Sequence, residues 1–367
     1  MVLARDVLTG VHGQLPLVRA GVVLDDHARD GLVAAGINAV YVEDELSAGI
    51  EVQHLLSPET RNVAMGAVVR TFADASARFV DGGKVSRSVA IELTGAVQLV
   101  VDDLANADHA VVALADLASA DSYTLQHSID ATALGLLIAR RHFRDHGRPA
   151  PSGRRSFEKI DTQLLKLGIG MLLQDVGKLA LPAAILKKAG ALTEEELALV
   201  RTHPLCGIEL VRGDVIGPLA KGVIRSHHER WDGYGYPEGI VAREIPEFAR
   251  IAAIADAFDA MTSMRVYSRA AAQHEGVRMI VEGSGSSYDP AIVESFRKVV
   301  APYPAGSEIA LADGRRGIVV SVPAGQLELP LVRVHWDERG ERIDPEEIDL
   351  REQPLLAPTL PPASQAA

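Results

Sequence analysis

Cysteine is almost absent from this chain. Cys206 is the single one in 367 residues, so no disulfide framework holds the fold, and stability has to come from buried apolar surface. Aromatics are scarce as well, at 4%, which leaves a core of Ala, Val, Leu and Ile. No apolar run reaches the ~18 residues that a membrane-crossing helix needs, and no signal peptide is legible. A cytoplasmic protein with no membrane partner is expected. Positive charge is in deficit: 37 Lys and Arg face 49 Asp and Glu, a net charge of −12. That balance argues against a general affinity for nucleic acid or an anionic membrane. An anionic substrate then needs a local positive site, which bound metals supply. There is no internal repeat and no phosphate-cradling Gly-rich loop. Gly168-Ile169-Gly170 falls inside a helical pattern and reads as a packing feature.

What the chain has is long helical patterning between two mixed ends. In residues 1–50, segments 1–7 and 15–18 read as short strands, Asp25-Asp26 as the cap of a helix running to about Ala35, and 39–42 as another strand. This small α+β module carries no catalytic grouping and reads as regulatory. Ser57-Pro58-Glu59 gives an N-cap, a first-turn proline and an early acid. Helices are predicted over about 58–82, 85–105 and 107–119, with breaks at Gly82-Gly83 and Ala107-Asp108. Residues 51–107 are assigned as a helical linker region, with solvated charged faces, and 108–303 as the central domain. Residues 304–352 alternate like strands over 308–311, 317–322 and 331–336, with a hairpin signal at Asp313-Gly314. The Pro/Ala-rich tail, 353–367, is expected to be disordered. The predicted fold class is mainly α: an all-helical central domain between a small α+β amino-terminal module and a small β carboxy-terminal one.

Within the central domain the helix after Asp121 carries His127 at the head of an apolar stripe of Ile129, Ala133, Leu134, Leu137 and Ile138. Residues 145–155 read as a loop, and a helix over 157–173 delivers Gln174 and Asp175. Thr193-Glu194-Glu195-Glu196 is a capping signature. Thr202 or His203 caps the next helix, with Pro204 in its first turn. On a helix over 247–262, Phe248, Ile251, Ile254 and Phe258 surround Asp256, a carboxylate that needs a partner in such surroundings. Residues 265–300 read as further helix. The most chemically loaded stretch runs from His227 to Pro237. Two adjacent histidines precede two carboxylates, Glu229 and Asp232, and a Gly-x-Gly-Tyr-Pro turn. Imidazoles and carboxylates are the ligands intermediate divalent metals favour. At a helix end the two histidine side chains diverge by ~100°, which suits two metals, or one metal approached from two sides. Cys206, three residues after His203, reads as a buried structural thiol rather than a ligand.

This stretch resembles the second signature of the HD-GYP family, a branch of the HD metal-dependent phosphohydrolases. Residues 121–128, ending His127-Ser128, are similar to the family's first-helix histidine segment. Residues 173–182 resemble the His-Asp segment, Thr202-His203-Pro204 the following Thr-His-Pro, and 251–267 the last acidic helix with Asp256 and Arg265. The five segments lie in order over roughly 108–300.

The resemblance implies a site of two metals, sometimes three, in an all-helical domain. It also implies the bacterial second messenger cyclic di-GMP as usual substrate, in signal transduction. Carried over by position, Asp175 bridges the metals. His127, position 174 and Asp256 complete one, and His203, His227 and His228 the other, with Fe or Mn as the expected ions. Asp175 and Lys178 are the implied catalytic residues. Lys178, Arg265 and Tyr236 are the implied substrate contacts, the arginine through its planar fork. The Gly-Tyr-Pro loop is also where a diguanylate cyclase would dock, and a homodimer is open. One departure stands out: where the family has His-Asp, this chain has Gln174-Asp175. An amide carbonyl is a poorer ligand than imidazole for such ions, so one metal is expected to be weak or absent. Two functions stay open. One is a metal-dependent phosphodiesterase opening cyclic di-GMP to linear pGpG or GMP, weakened at Gln174. The other is a catalytically degenerate sensor or scaffold that binds cyclic di-GMP or a diguanylate cyclase.

Overall fold

The structure is a computed structural model describing the chain apart from residues 1, 5–6, 8–17, 35–39, 41, 51–54, 80–84, 107–122, 150–153, 187, 189, 264–270 and 359–367. The predicted helix over 107–119, the Gly82-Gly83 break, most of the 15–18 strand and Arg265 lie outside the described residues.

At the amino-terminal end, strands β1 (Val2–Leu3) and β2 (Val42–Glu43) pair antiparallel. Helix α1 (Asp26–Ala34) starts where the sequence says, because the Asp25 carboxylate accepts from Ala28 N at 2.7 Å. Leu3, Val7 and Leu32 form a small core of their own.

The helical body contains α2 (Pro58–Phe79), α3 (Arg87–Asn106), α4 (Tyr123–His146), α5 (Ile160–Leu172), α6 (Ala183–Leu186), α7 (Glu194–Val200), α8 (His203–Leu210), α9 (Pro218–Ser226), α10 (Glu247–Thr262), α11 (Gln273–Glu282) and α12 (Pro290–Arg297). Part of the loop expected over 145–155 is a hairpin, β3 (Arg148–Pro149) with β4 (Arg155–Ser156). One apolar core extends from Leu55 to Val300. It takes Ala64, Ala67 and Val68 from α2, Leu93, Val97 and Val100 from α3, and Ile251, Ile254 and Phe258 from α10. The assignment of 51–107 as a linker is therefore corrected: α2 and α3 bury one face in the same core as the helices that carry the site. A largely buried ion pair, Arg61 Nη1 to Asp130 Oδ1 at 2.7 Å, ties α2 to α4. The glycines of α5 do serve packing. A Cβ at Gly168 would lie 2.4 Å from Val97 Cγ1, and one at Gly170 2.9 Å from the Ala220 carbonyl oxygen of α9.

Helix α7 has the predicted capping box, with Thr193 Oγ1 accepting from Glu196 N and the Glu196 carboxylate from Thr193 N. Thr202 does not cap α8 with its side chain. Its hydroxyl donates back to the Leu199 carbonyl at 2.7 Å.

The carboxy-terminal module is an antiparallel sheet in the order β5 (Glu308–Ala310), β6 (Arg316–Ser321), β7 (Leu331–Trp336), β8 (Arg342–Asp349). Gly314 turns the first hairpin at φ 92°. The tail is ordered further than expected. Pro354–Leu356 forms a 3₁₀ turn, the Leu356 carbonyl accepts from Ala312 N at 2.9 Å, and Leu356 and Ala357 pack on the sheet core. Among the described residues no helix is long and apolar enough to cross a membrane.

Because α2 and α3 complete the core, a chain trimmed to residues 108–303 is expected to lose cooperative thermal unfolding and to aggregate, read by circular dichroism and size-exclusion chromatography. A monodisperse, cooperatively melting fragment would restore the linker assignment.

Candidate metal centre

The site begins where α5 ends. Beyond Leu172 the chain passes through Gln174 and Asp175 into a 3₁₀ turn, Val176–Ala180. Gly177 in that turn presses on the start of α8: a Cβ there would lie 1.9 Å from the His203 carbonyl oxygen and 2.5 Å from Gly207 N. A side chain has no room there. The approach leaves His203 Nε2 3.4 Å from Asp175 Oδ1. Helix α9 supplies the next two ligand candidates. His227 is its C-terminal cap residue, with Nε2 4.0 Å from Asp175 Oδ1 and 3.3 Å from His203 Nε2. The His228 ring lies 4.1 Å from that of His227 and 5.0 Å from that of His203. Asp175, His203, His227 and His228 each offer one ligand atom, all within 4.8 Å of one another. The adjacent histidines therefore bear on one cluster, because the chain leaves the helix at His227.

Hydrogen bonding behind the rings fixes what they present. His203 Nδ1 is 2.8 Å from the Val200 carbonyl, and His227 Nδ1 is 3.1 Å from the Val223 carbonyl. A carbonyl only accepts, so each Nδ1 carries a hydrogen, and in the neutral rings each Nε2 is a lone pair. Two such lone pairs then face each other across 3.3 Å, an arrangement that calls for a cation. Burial, more than the neighbouring His227 and Lys178, pushes His203 down to about 4 against the pull of Asp175. Burial and then His227 push His228 well below the ordinary imidazole value. Asp175 goes the opposite way to its own burial. Lys178, whose Nζ donates to Oδ2 at 2.7 Å, and then His203 and His227 hold its carboxyl well below the usual range. Neutral imidazoles and a carboxylate suit an intermediate divalent ion, so these residues fit a metal.

His127, Gln174 and Asp256 form an adjoining group. Asp256 Oδ1 lies 2.9 Å from His127 Nε2 and accepts from Gln174 Nε2 at 2.8 Å. His127 Nδ1 faces Asp259 Oδ2 at 2.5 Å. Burial works against a charged His127, but the Asp256 and Asp259 carboxylates outweigh it and raise its pKa well above the ordinary value. The Gln174 amide is buried, and its Oε1 has no hydrogen-bond partner. An orphaned buried acceptor costs ~1–3 kcal/mol, which a cation or water at Oε1 would relieve. This group also fits a metal, but only after a proton leaves His127.

The remaining sequence candidates fall around these two groups. Lys178 lies on Asp175 rather than pointing free to a substrate. Glu229 is buried and accepts from Glu238 N at 2.8 Å and Gly239 N at 3.1 Å, while Asp232 pairs with Arg230 and accepts from Tyr234 N. Both carboxylates fold the loop and leave the cluster alone. A Cβ at Gly235 would lie 2.3 Å from Arg230 N. That tight turn stacks the Tyr236 ring on His228, with centroids 4.7 Å apart. Burial raises the Tyr236 phenol, with Asp175 and Asp256 adding, so it stays protonated. Cys206 is half-buried rather than buried, with Thr202 Oγ1 3.9 Å from its sulfur, and stands outside the cluster. Sequence reasoning missed Asp259, although its spacing of three from Asp256 on a helix is a legible signal. It also missed Arg201, whose guanidinium carbon sits 5.7 Å from the centre of the Tyr236 ring.

Two outcomes follow from this geometry. Gly177→Ala is expected to lower unfolding free energy by ~2 kcal/mol or more and to strip metal from the purified protein, read by chemical denaturation and elemental analysis. Full metal content with unchanged stability would show that the Gly177–His203 contact does not set the site. Metal affinity should also depend on pH in two ways. At the His203 cluster, proton competition from the His203 ring itself should set in only as pH approaches about 4. At the His127 group the folded pKa is raised, so the competing proton is present at neutral pH. Affinity there should rise roughly tenfold per pH unit until that proton is gone, read by calorimetric titration at several pH values. A flat profile for both would contradict the charged His127.

The HD domain family profile matches residues 155–292. That span contains Asp175, His203, His227, His228 and Asp256, while His127 precedes it. A cyclic di-GMP phosphodiesterase of Pseudomonas aeruginosa is 34% identical over 241 residues, covering 65% of this chain and 54% of that protein. A cyclic di-GMP phosphodiesterase of Thermotoga maritima is 42% identical over 129 residues, 35% of each. A 3'3'-cGAMP-specific phosphodiesterase of Vibrio cholerae is 36% identical over 124 residues, 33% of this chain and 24% of that protein. The chain thus spans about half the length of the first of these relatives and less of the others. A solved HD-G"Y"P protein from Bdellovibrio bacteriovorus overlays at a TM-score of 0.48 with 14% identity, covering 81% of this chain and 94% of that one. Residues 155–292 thus carry an HD domain, and the curated relatives that match around it are cyclic-dinucleotide phosphodiesterases.

Proposed function

We propose that this protein is a metal-dependent phosphodiesterase that opens cyclic di-GMP to the linear dinucleotide or to GMP. The observation that carries this reading is the set of buried Asp175, His203 and His227 with half-buried His228, the Nε2 atoms of His203 and His227 facing each other at 3.3 Å. The similarity to curated phosphodiesterases supports the substrate class. A divalent ion bound there would neutralise charge on a phosphodiester and lower the pKa of a water. The chain's own part is to hold and orient. Val200 and Val223 carbonyls fix the His203 and His227 rings, Lys178 keeps Asp175 ionised, and Tyr236 covers the outer face of His228. Asp175, His203, His227 and His228 would hold the first ion. His127, Asp256 and the Gln174 carbonyl would hold a second, weaker one. Arg265 is kept as a proposed phosphate contact from the family resemblance alone.

A second reading has its own observation. Gln174 donates its amide into Asp256, the same oxygen that His127 contacts. If that network keeps the second ion out, the protein binds cyclic di-GMP or a diguanylate cyclase without turning substrate over.

Gln174→His tests both. The imidazole has no amide hydrogen to lock Asp256 and offers a better metal donor. Metal content should rise toward two ions per chain, and cyclic di-GMP hydrolysis at least tenfold, ~1.4 kcal/mol in the barrier. A second ion without turnover would favour the sensor reading. No change in metal content would remove position 174 from the ligand set.

A further inference from the structure

The proposed substrate carries two phosphodiester groups, and the metal cluster accounts for only the one that is cleaved. The cations around the cluster are nearly all engaged. Lys178 is paired with Asp175, Arg225 with Glu238, Arg230 with Asp232 and Arg250 with Asp289. Arg201 differs. It follows α7 directly, two residues before His203, and its side chain is exposed. Among the described residues no carboxylate lies within ion-pair distance of it. Its guanidinium carbon is 5.7 Å from the centre of the Tyr236 ring. That ring in turn stacks on the ligand candidate His228 at 4.7 Å and lies 6.3 Å from His203. The aromatic ring limits where the planar fork goes and leaves its hydrogens available to an anion.

We propose that Arg201 is a substrate-positioning residue that holds the second, uncleaved phosphate of a cyclic dinucleotide at the rim of the cluster. The inference rests on the cyclic dinucleotide reading above. It makes Arg201 a determinant of selectivity for substrates with two phosphates, because a single phosphodiester at the metals leaves the guanidinium unused. A fork can grip two phosphate oxygens at once, whereas an ammonium contacts the group as a point charge.

The test compares wild type, Arg201→Gln and Arg201→Lys, all metal-loaded, on cyclic di-GMP and on bis(p-nitrophenyl) phosphate, with metal content measured for each. Arg201→Gln is expected to raise KM for cyclic di-GMP about tenfold, equivalent to ~1.4 kcal/mol, with kcat within about twofold. Metal content and hydrolysis of the single phosphodiester should be unchanged. Arg201→Lys should recover part of the loss. If wild type binds without turnover, the same contrast is read in the calorimetric Kd for cyclic di-GMP. Unchanged KM or Kd in Arg201→Gln overturns the inference and leaves the proposed function standing. Equal losses on both substrates, or loss of metal, overturn it in favour of a structural role. A wild type that neither binds nor cleaves cyclic di-GMP removes the proposed function, and this inference with it.

Discussion

Asp175 is 1% exposed and ionised. An uncompensated charge at that depth costs several kcal/mol, so the fold around it has to supply partners. It does so through backbone geometry. The 3₁₀ turn after α5 brings Lys178 back over the carboxylate that begins it. Gly177 lets the start of α8 come close enough for His203 to face the same oxygen. Gly170 lets α9 pack near the carboxy-terminal half of α5, and α9 ends at the point where His227 reaches the cluster. The same placements that compensate the charge leave imidazole lone pairs pointing at one another. Stability and ligand geometry therefore share one set of contacts, and a change that loosens the turn affects both.

The two halves of the centre solve their electrostatics differently. Around Asp175 the histidines His203 and His228 are held neutral by burial, so a metal meets little competition from protons. Around Asp256 the protein has found an internal solution. His127 lies between two carboxylates and keeps its proton, and Gln174 adds an amide hydrogen to the same Asp256 oxygen. A histidine at position 174 would change that balance by supplying a donor atom to an ion, where the amide supplies a hydrogen to a carboxylate. One substitution thus separates a half that is prepared for a cation from a half that can close on itself.

Much of this was legible in the sequence, for identifiable reasons. Helices α2, α3, α5 and α10 and strands β6 and β7 follow from apolar periodicity, and the starts of α1 and α7 from capping residues whose side chains bond as expected. The grouping of His203, His227 and His228 with Asp175 followed from ordered motifs, which encode long-range proximity that periodicity cannot. What escaped were features whose signal is relational. Strand β8 has the sequence Arg-Ile-Asp-Pro-Glu-Glu-Ile-Asp and, among the described residues, pairs only with β7. Its charge and proline suit a sheet edge and conceal a strand. Helices α2 and α3 looked like a linker because small residues, chiefly Ala and Val, pack them, leaving no bulky stripe to mark the buried face. Glu229 and Asp232 looked like ligand candidates because composition cannot tell a carboxylate that bonds loop amides from one that faces a cluster. Asp259 went unassigned because its partner His127 is 132 residues away.

Charge at the centre also decides the order in which ligands arrive. The chain as a whole carries −12, and screening over ~8–10 Å leaves a phosphodiester to the local groups once it is near. Those groups offer it little. Lys178 is cancelled by Asp175, His127 by Asp256, and His203 and His228 carry no charge near neutral pH. Arg201 stands at the rim and contributes a single positive charge. A dianionic cyclic dinucleotide brought to this surface without a bound cation would face desolvation with no compensating attraction at the cluster. On the proposed function, metal loading would therefore precede recognition of the nucleotide. The requirement is the same whether the bound nucleotide is then cleaved or only sensed, so metal dependence of binding does not distinguish an enzyme from a receptor here, and turnover does.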